Sequence, residues 1–143
     1  MIVVRKEMIM CLKIDNDKYT WEFLARLTKA GKRGILAFKS YRQDNGALFS
    51  RNYPKGPIKP GWVVSDRVSK RLSWSEKLTG IVMHGIHVYA SRVSSSYYYT
   101  SDTQVRVFKR DFVAVGISQA VFMKVFLTKK EHDRTIDYRI GYD

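Results

Sequence analysis

Short apolar runs separated by turn-forming residues fill most of the chain, and this pattern constrains the fold more than any other feature. The runs are rich in β-branched and aromatic residues, which favour strands. Gly and Pro stand between several of them and interrupt regular structure. The predicted strands lie at residues 8–14, 35–41, 47–49, 62–64, 81–90, 104–108, 112–115, 120–127 and, as a last edge strand, 136–142.

One segment has helical rather than strand periodicity. Between Lys18 and Ala30, Trp21, Leu24 and Leu27 recur at the spacing of one helix face. Residues 15–17 (Asp-Asn-Asp) offer N-cap side chains, and the following Gly at position 31 is a typical helix stop. A second short helix between residues 68 and 77 is an open alternative to extended structure.

Two connections between the predicted strands can be assigned a type. Asp44-Asn45-Gly46 is a strong turn signal and predicts a hairpin that joins the runs at 35–41 and 47–49. Residues 52–61 contain Pro54, Pro57 and Pro60, and proline removes backbone donors. We therefore expect an extended surface loop over residues 52–61.

These elements together predict an α+β fold. In the predicted fold, one N-terminal helix packs on a mostly antiparallel, strongly twisted sheet of six or more short strands. With 143 residues the chain is expected to form a single domain spanning 1–143. Because Met8 and Met10 follow the first methionine closely, a later start that makes residues 1–9 dispensable stays open.

Positive charge is concentrated between Arg26 and Arg71, a segment with twelve Lys or Arg and only two acids. Lys and Arg neutralise phosphates and interleaved aromatic rings stack on bases, so this composition favours a nucleic-acid partner. A solvated positive surface is the competing interpretation. The predicted nucleic-acid contacts are Arg26, Lys29, Lys32, Arg33, Lys39, Tyr41, Arg42, Arg51, Tyr53, Lys55, Lys59, Trp62, Arg67, Lys70 and Arg71.

The histidines are the only candidates for catalysis. His84 and His87 are three residues apart, so on a regular strand they point to opposite faces and do not share a metal. A bulge at Gly85 would realign them. A general base is the better role for either one. No phosphate-binding glycine loop or nucleophile elbow is present, and we expect neither a metal nor a cofactor.

Cysteine content and hydropathy bear on the compartment. The single Cys11 excludes an intrachain disulfide and a cysteine-based zinc site, and it fits a reducing cytoplasm. No apolar run approaches the roughly 18 residues that span a bilayer, so we expect no membrane partner. Tyr97, Tyr98 and Tyr99 follow three serines and would form either a ligand surface or a turn that lines the core.

Gly85-Ile86-His87-Val88-Tyr89 resembles a strand with the pattern G-[IF]-H-x-[CFY] in small uncharacterised domains of phages, prophages and some pentapeptide-repeat proteins. Pro60-Gly61-Trp62 resembles the entry to that domain, and three later segments follow in the same order. The resemblance covers about residues 60–127, and it implies a viral or mobile-element origin but no activity. The later segments are Tyr97–Tyr99, Asp111–Val113 and Lys124–Leu127.

We therefore expect a small, basic, non-enzymatic nucleic-acid-binding protein. As a viral or mobile-element accessory factor, it would modulate or inhibit a nucleic-acid-processing complex in the host cell interior. One alternative is an enzyme that acts on a nucleotide or nucleic acid, with His84 or His87 in the site and Arg67 and Arg92 on phosphates. The other is a viral structural or assembly protein, which would oligomerise without nucleic acid.

Overall fold

The protein is an α+β fold built on an open antiparallel sheet. A computed structural model describes residues 12–14, 18–50, 54–90, 100–116 and 119–142. Its helices are α1 (Lys18–Ala30), α2 (Trp74–Thr79) and α3 (Lys129–Tyr142). Its strands are β1 (Leu12–Lys13), β2 (Ile35–Asp44), β3 (Ala47–Phe49), β4 (Pro57–Ile58), β5 (Gly61–Val64), β6 (Ile81–Val82), β7 (Ile86–Tyr89), β8 (Thr100–Val107), β9 (Phe112–Gly116), β10 (Gln119–Phe122) and β11 (Lys124–Leu127).

Nine of these strands form one sheet in the order β5-β11-β8-β2-β7-β10-β9, and β3 and β4 extend it from one end of β2. Every pairing among the described strands is antiparallel. The longest pairing joins β2 and β8 over eight residue pairs, from Ile35 opposite Val107 to Arg42 opposite Thr100. This central pair fixes which side chains of β2 face each side of the sheet.

One face of the sheet, the core face, is covered by helices. Phe23 and Leu27 of α1 are buried against it, and Ile136 of α3 packs at its margin. The ring of Phe23 meets that of Phe122 in β10 edge to face, with 6.3 Å between centroids. Strand residues on this face alternate with residues on the opposite side, as a half-buried antiparallel sheet requires.

The opposite side, the outer face, is covered only in part. The two-stranded β1–β6 ribbon lies over β9 and β10, where Leu12 and Val82 pack with Val121 in a second apolar cluster. Ile14 bridges to Gly116 and links the ribbon to the main sheet. The outer face of β5, β11 and β8 carries partly exposed side chains.

Two predicted strands are each divided in the structure. Residues 81–90 form β6 and β7, which belong to different sheets, because Gly85 turns the chain with a φ of +122°. An added Cβ at Gly85 would lie 2.3 Å from Cγ1 of Val121, so only glycine fits this approach. Residues 120–127 form β10 and β11, separated at Met123, whose N–H donates to the carbonyl of Asp111 at 2.7 Å.

The prediction of a last edge strand at 136–142 is wrong, because these residues belong to α3. The backbone N–H of Glu131 donates to Oγ1 of Thr128 at 3.1 Å, which is the hydrogen bond of a helix N-cap. Glu131 also pairs with Arg134 one turn later. These local signals favour a helix more strongly than the sparse apolar residues favour a strand.

Several further predictions are corrected or lie outside the described residues. The loop predicted at 52–61 contains the short strand β4, which pairs with β3. The Asn45-Gly46 turn joins β2 and β3 as predicted. The short helix left open for residues 68–77 is α2, which begins at Trp74 with Ser73 as its N-cap. Residues 8–11, the N-cap candidates 15–17 and Tyr97–Tyr99 lie outside the described part of the chain.

Candidate nucleic-acid interface

A row of aromatic and cationic side chains crosses the uncovered outer face. Trp62 of β5 stands opposite Phe126 of β11, which in turn stands opposite Arg106 of β8. Leu36 of β2 continues the row beside Arg106 and is 43% exposed. Because Val63, Val125 and Val105 point to the core face at the intervening positions, the strand alternation directs this row outward.

Trp62 is the centre of this row and is 42% exposed. Its ring centroid lies 5.2 Å from that of Phe126 and 5.6 Å from that of Phe108. Two cations stand over the rings: Nζ of Lys124 is 4.5 Å from the Trp62 centroid, and Cζ of Arg110 is 5.3 Å from it. We call Trp62, Phe108, Phe126, Arg110 and Lys124 the Trp62 surface.

The turn after β8 holds Arg110 over the rings. Residues 109–111 form a 3₁₀ turn in which the Asp111 N–H donates to the Phe108 carbonyl at 3.0 Å. Asp111 is 6% exposed, and its Oδ2 lies 3.5 Å from Nε of Arg110, an ion-pair distance without a hydrogen bond. The buried carboxylate thus lies under the turn while the guanidinium faces outward over two aromatic rings.

Three residues predicted from the sequence lie at or beside the Trp62 surface. Trp62 is part of it, and Nζ of Lys70 donates to the carbonyl of Arg110 at 2.6 Å. Arg33 lies beside the row because Arg106 donates to the Arg33 carbonyl at 2.8 Å. These contacts join parts of the basic segment that are far apart in sequence.

The basic segment does not form one cationic side of the protein. Arg26 and Lys29 are exposed on α1, which packs on the core face, so they lie across the sheet from Trp62. Arg42 lies near the β2–β3 hairpin with its guanidinium 5.5 Å from the Phe49 ring. The remaining predicted cations Lys32, Lys55, Lys59 and Arg71 are exposed, and Arg51 and Tyr53 lie outside the described residues.

Lys39 and Tyr41 are wrong as predicted contacts, because both point to the core face of β2 beside Ala37. Lys39 is 7% exposed and Tyr41 is fully buried. Burial lowers the pKa of Lys39 from 10.5 to about 8 and raises the pKa of the Tyr41 phenol. The Tyr41 hydroxyl has no hydrogen-bond partner, so this strand carries polar side chains into the core at a cost in stability.

Arg67 is also corrected as a predicted contact, because its side chain is 7% exposed and its guanidinium nitrogens donate to acceptors of the protein. It makes a bidentate pair with Glu76, with both N–H···O distances at 2.7 Å. It also donates to the carbonyls of Ser69, Arg71 and His84. The hydrogen bonds from Arg67 to Glu76 lower the pKa of this carboxyl from 4.5 to about 2.

His87 is corrected as a catalytic candidate, because its ring is 7% exposed and held against backbone. Nδ1 lies 3.2 Å from the carbonyl of Gly85, and Nε2 lies 3.1 Å from that of Val82. Burial, aided by the charge of Lys39, lowers its pKa below 6.5. A neutral imidazole donates from one nitrogen only, so one of these two contacts lacks a hydrogen.

His84 has a different environment from His87. Its side chain is 61% exposed, and Nδ1 lies 2.9 Å from Oδ2 of Asp66. A carboxylate in this position orients an imidazole. The two histidines do not converge on one site. The described residues contain no group of three or more His, Cys, Asp or Glu side chains able to hold a metal ion.

Comparison with known proteins adds no assignment. No family model matches the chain, and neither a curated protein nor a solved structure similar to it was found. The resemblance to phage-type domains therefore stays a prediction. Within the described residues, no helix is long and apolar enough to cross a membrane.

Four members of the Trp62 surface were missed in the sequence. Phe108 and Phe126 are apolar and read as core residues, and Arg110 and Lys124 lie outside the basic segment. A usable signal was the alternation in Lys124-Val125-Phe126-Leu127. In that run Lys124 and Phe126, which lie opposite Val64 and Trp62, face outward. Their orientation can be assigned only when the pairing of β11 with β5 is known.

Proposed function

We propose that this protein is a non-enzymatic nucleic-acid-binding protein whose Trp62 surface contacts a strand of RNA or DNA. The observation that carries the proposal is the half-exposed Trp62 ring flanked by Phe108 and Phe126, with Arg110 and Lys124 over the aromatic faces. Aromatic rings on an open sheet stack on bases, and adjacent cations contact phosphates.

The charge of the chain supports the same proposal. A formal net charge of +13 attracts any polyanion to the protein over long range. The outer face then provides short-range contacts that a merely positive surface lacks. If Arg106, Arg110 and Lys124 each neutralise one phosphate, the slope of log affinity against log salt for a single strand is about −2.

In this proposal the protein is a viral or mobile-element accessory factor that modulates a nucleic-acid-processing complex in the cytoplasm of a host. The support is the resemblance of residues 60–127 to phage-type domains, together with the lone cysteine. A basic rather than acidic surface favours direct contact with nucleic acid over imitation of its charge.

The test is the affinity of purified protein, freed of bound polyanion by high salt, for labelled single- and double-stranded RNA and DNA. Trp62→Ala should weaken single-strand binding about 5- to 150-fold, since one stacked base is worth about 1–3 kcal/mol. Trp74→Ala is the matched control, because Trp74 is also exposed but lies on α2 away from the rings. Equal affinities of the two variants would contradict the assignment of this surface.

A second candidate function is favoured by the His84–Asp66 pair, since an imidazole oriented by a carboxylate is a component of general-base sites. The protein would then act as an enzyme on a nucleotide or nucleic acid. His84→Ala should abolish turnover of a nucleic-acid substrate while leaving its affinity unchanged. If wild-type protein and variant both leave the substrate intact, this candidate fails.

A further inference from the structure

A second surface is built by the excursion between β5 and β7, residues 65–85. Four large apolar side chains on it are strongly exposed: Val68 by 97%, Trp74 by 78%, Leu78 by 70% and Met83 by 64%. Trp74 and Leu78 are four residues apart on α2 and share one side of that helix. We call these four residues the apolar tips. Trp74 and Leu78 are therefore neighbouring exposed apolar groups, and contiguous apolar groups mark interaction surfaces.

The backbone that carries the tips is held by Arg67. The guanidinium donates to the carbonyls of Ser69, Arg71 and His84 and to both oxygens of Glu76. Ser69 follows Val68 in sequence, Glu76 lies within α2, and His84 follows Met83. One buried side chain therefore fixes all three segments that bear the tips.

The start of α2 is fixed in addition by a capping box. Oγ of Ser73 accepts from the Glu76 N–H at 3.1 Å, and the Glu76 carboxylate accepts from the Ser73 N–H at 2.8 Å. The tips are thus presented in a preformed arrangement, which lowers the entropy lost on binding.

The exposed charge of the same excursion is positive. Lys70, Arg71 and Lys77 are exposed, while the carboxylate of Glu76 is bound by Arg67 and that of Asp66 pairs with His84. A partner that accepts apolar side chains here must also carry negative charge. An anionic lipid surface combines both properties.

We propose that the apolar tips insert into the headgroup region of an anionic bilayer while Arg71 and Lys77 contact its phosphates. Trp is favoured at the membrane–water interface, and basic residues beside apolar ones are typical of segments that lie on a membrane. A surface contact needs no membrane-spanning segment.

The side chains themselves favour a bilayer over a protein groove. Val68 is 97% exposed, so no neighbouring side chain forms a wall beside it that would be shaped for a particular partner residue. A projecting side chain without walls suits a fluid interface, which adapts to it. A second copy of this chain is disfavoured because both copies carry +13. The proposal is independent of nucleic-acid binding, which uses the outer face of the sheet.

The test is flotation with vesicles of phosphatidylcholine alone and of phosphatidylcholine with phosphatidylserine, at physiological ionic strength. Wild-type protein should bind the anionic vesicles. Trp74→Ser with Leu78→Ser, and separately Val68→Ser, leave the charge unchanged and should weaken binding, the double variant by at least about tenfold. Leu36→Ser removes an exposed apolar side chain from the sheet and should bind like wild type.

A second measurement locates Trp74. Protein with Trp21→Phe and Trp62→Phe has Trp74 as its only indole, and brominated phosphatidylcholine in the anionic vesicles should quench its fluorescence. Adsorption by net charge alone predicts equal binding of the serine variants and no quenching, and either result would overturn the proposal. Val68 is 97% exposed, so Val68→Ser should not alter the fold. Vesicle binding of Val68→Ser equal to that of wild type would therefore count directly against the proposal. Loss of nucleic-acid binding in Trp62→Ala would leave these results unaffected, so the two proposals fail separately.

Discussion

The most exacting prediction concerns Lys39, whose ammonium group is buried in the core face of β2. Its side chain is 7% exposed, and burial is the cause of its lowered pKa. Replacing Lys39 by Met keeps the length and most of the volume of the side chain and removes the charge. We expect Lys39→Met to raise the free energy of unfolding at pH 7, because a buried uncompensated charge opposes folding.

The magnitude follows from the pKa. It falls from 10.5 to about 8 on folding, and each pKa unit corresponds to about 1.4 kcal/mol. Protonated Lys39 therefore costs the folded state about 3 kcal/mol at pH 7. Since the folded pKa is lowered, the unfolded chain binds the extra proton between pH 8 and 10.5, and wild-type stability rises with pH across that window. Lys39→Met should lack this rise.

The assay is urea unfolding of wild type and Lys39→Met at pH 7 and at pH 10.5. The stability difference should be about 3 kcal/mol at pH 7 and should shrink towards zero at the higher pH. Lys59→Met, which removes an exposed lysine, controls for the change in net charge. A constant difference at both pH values, or a less stable Lys39→Met protein at pH 7, would refute the reasoning.

Three further predictions test other parts of the structure. Glu76→Ala should destabilise the protein by about 3 kcal/mol, because it leaves the guanidinium of Arg67 buried without its partner; urea unfolding measures this loss. In wild type the contribution of Glu76 to the free energy of unfolding should be complete above pH 4.5. It should decline as the pH falls towards 2, because the pKa of Glu76 is lowered in the folded state. NMR titration of His87 should give a pKa below 6.5, so that protonation below that pH destabilises the fold, whereas a value of 6.5 or higher contradicts the burial argument. Gly85→Ala should lower the unfolding midpoint much more than Gly56→Ala; both glycines have positive φ, but only at Gly85 does a Cβ meet a neighbouring atom within 4 Å.

The fold class could be predicted because strand alternation and turn residues are local signals. The antiparallel sheet and the hairpin at Asn45-Gly46 both follow from such signals. The division of residues 81–90 into two sheets could not be predicted, since it depends on the approach of Gly85 to Val121, which is distant in sequence. The strands at the two edges of the sheet could not be predicted either, because their position depends on which strands pair.

The candidate site was only partly predictable. Trp62 is exposed, whereas Lys39 and Tyr41, which were predicted as contacts because they lie in the basic segment, are buried. Both side chains face the core because they lie two and four residues after the buried Ala37 on β2, and alternate residues of a strand share a face. Conversely, Phe126 is apolar and yet faces outward beside Trp62. Charge and hydropathy predict which residues are polar, whereas strand register decides which of them face outward.

Photochemical cross-linking to a single-stranded oligonucleotide, followed by mass spectrometry of the cross-linked peptides, tests the central claim most directly. We predict cross-links in the peptides that contain Trp62, Phe108 and Phe126, and their loss when the Trp62→Ala variant is used. Cross-links confined to the exposed face of α1 around Arg26 and Lys29, or none at low ionic strength, would contradict the claim that the outer face of the sheet binds nucleic acid.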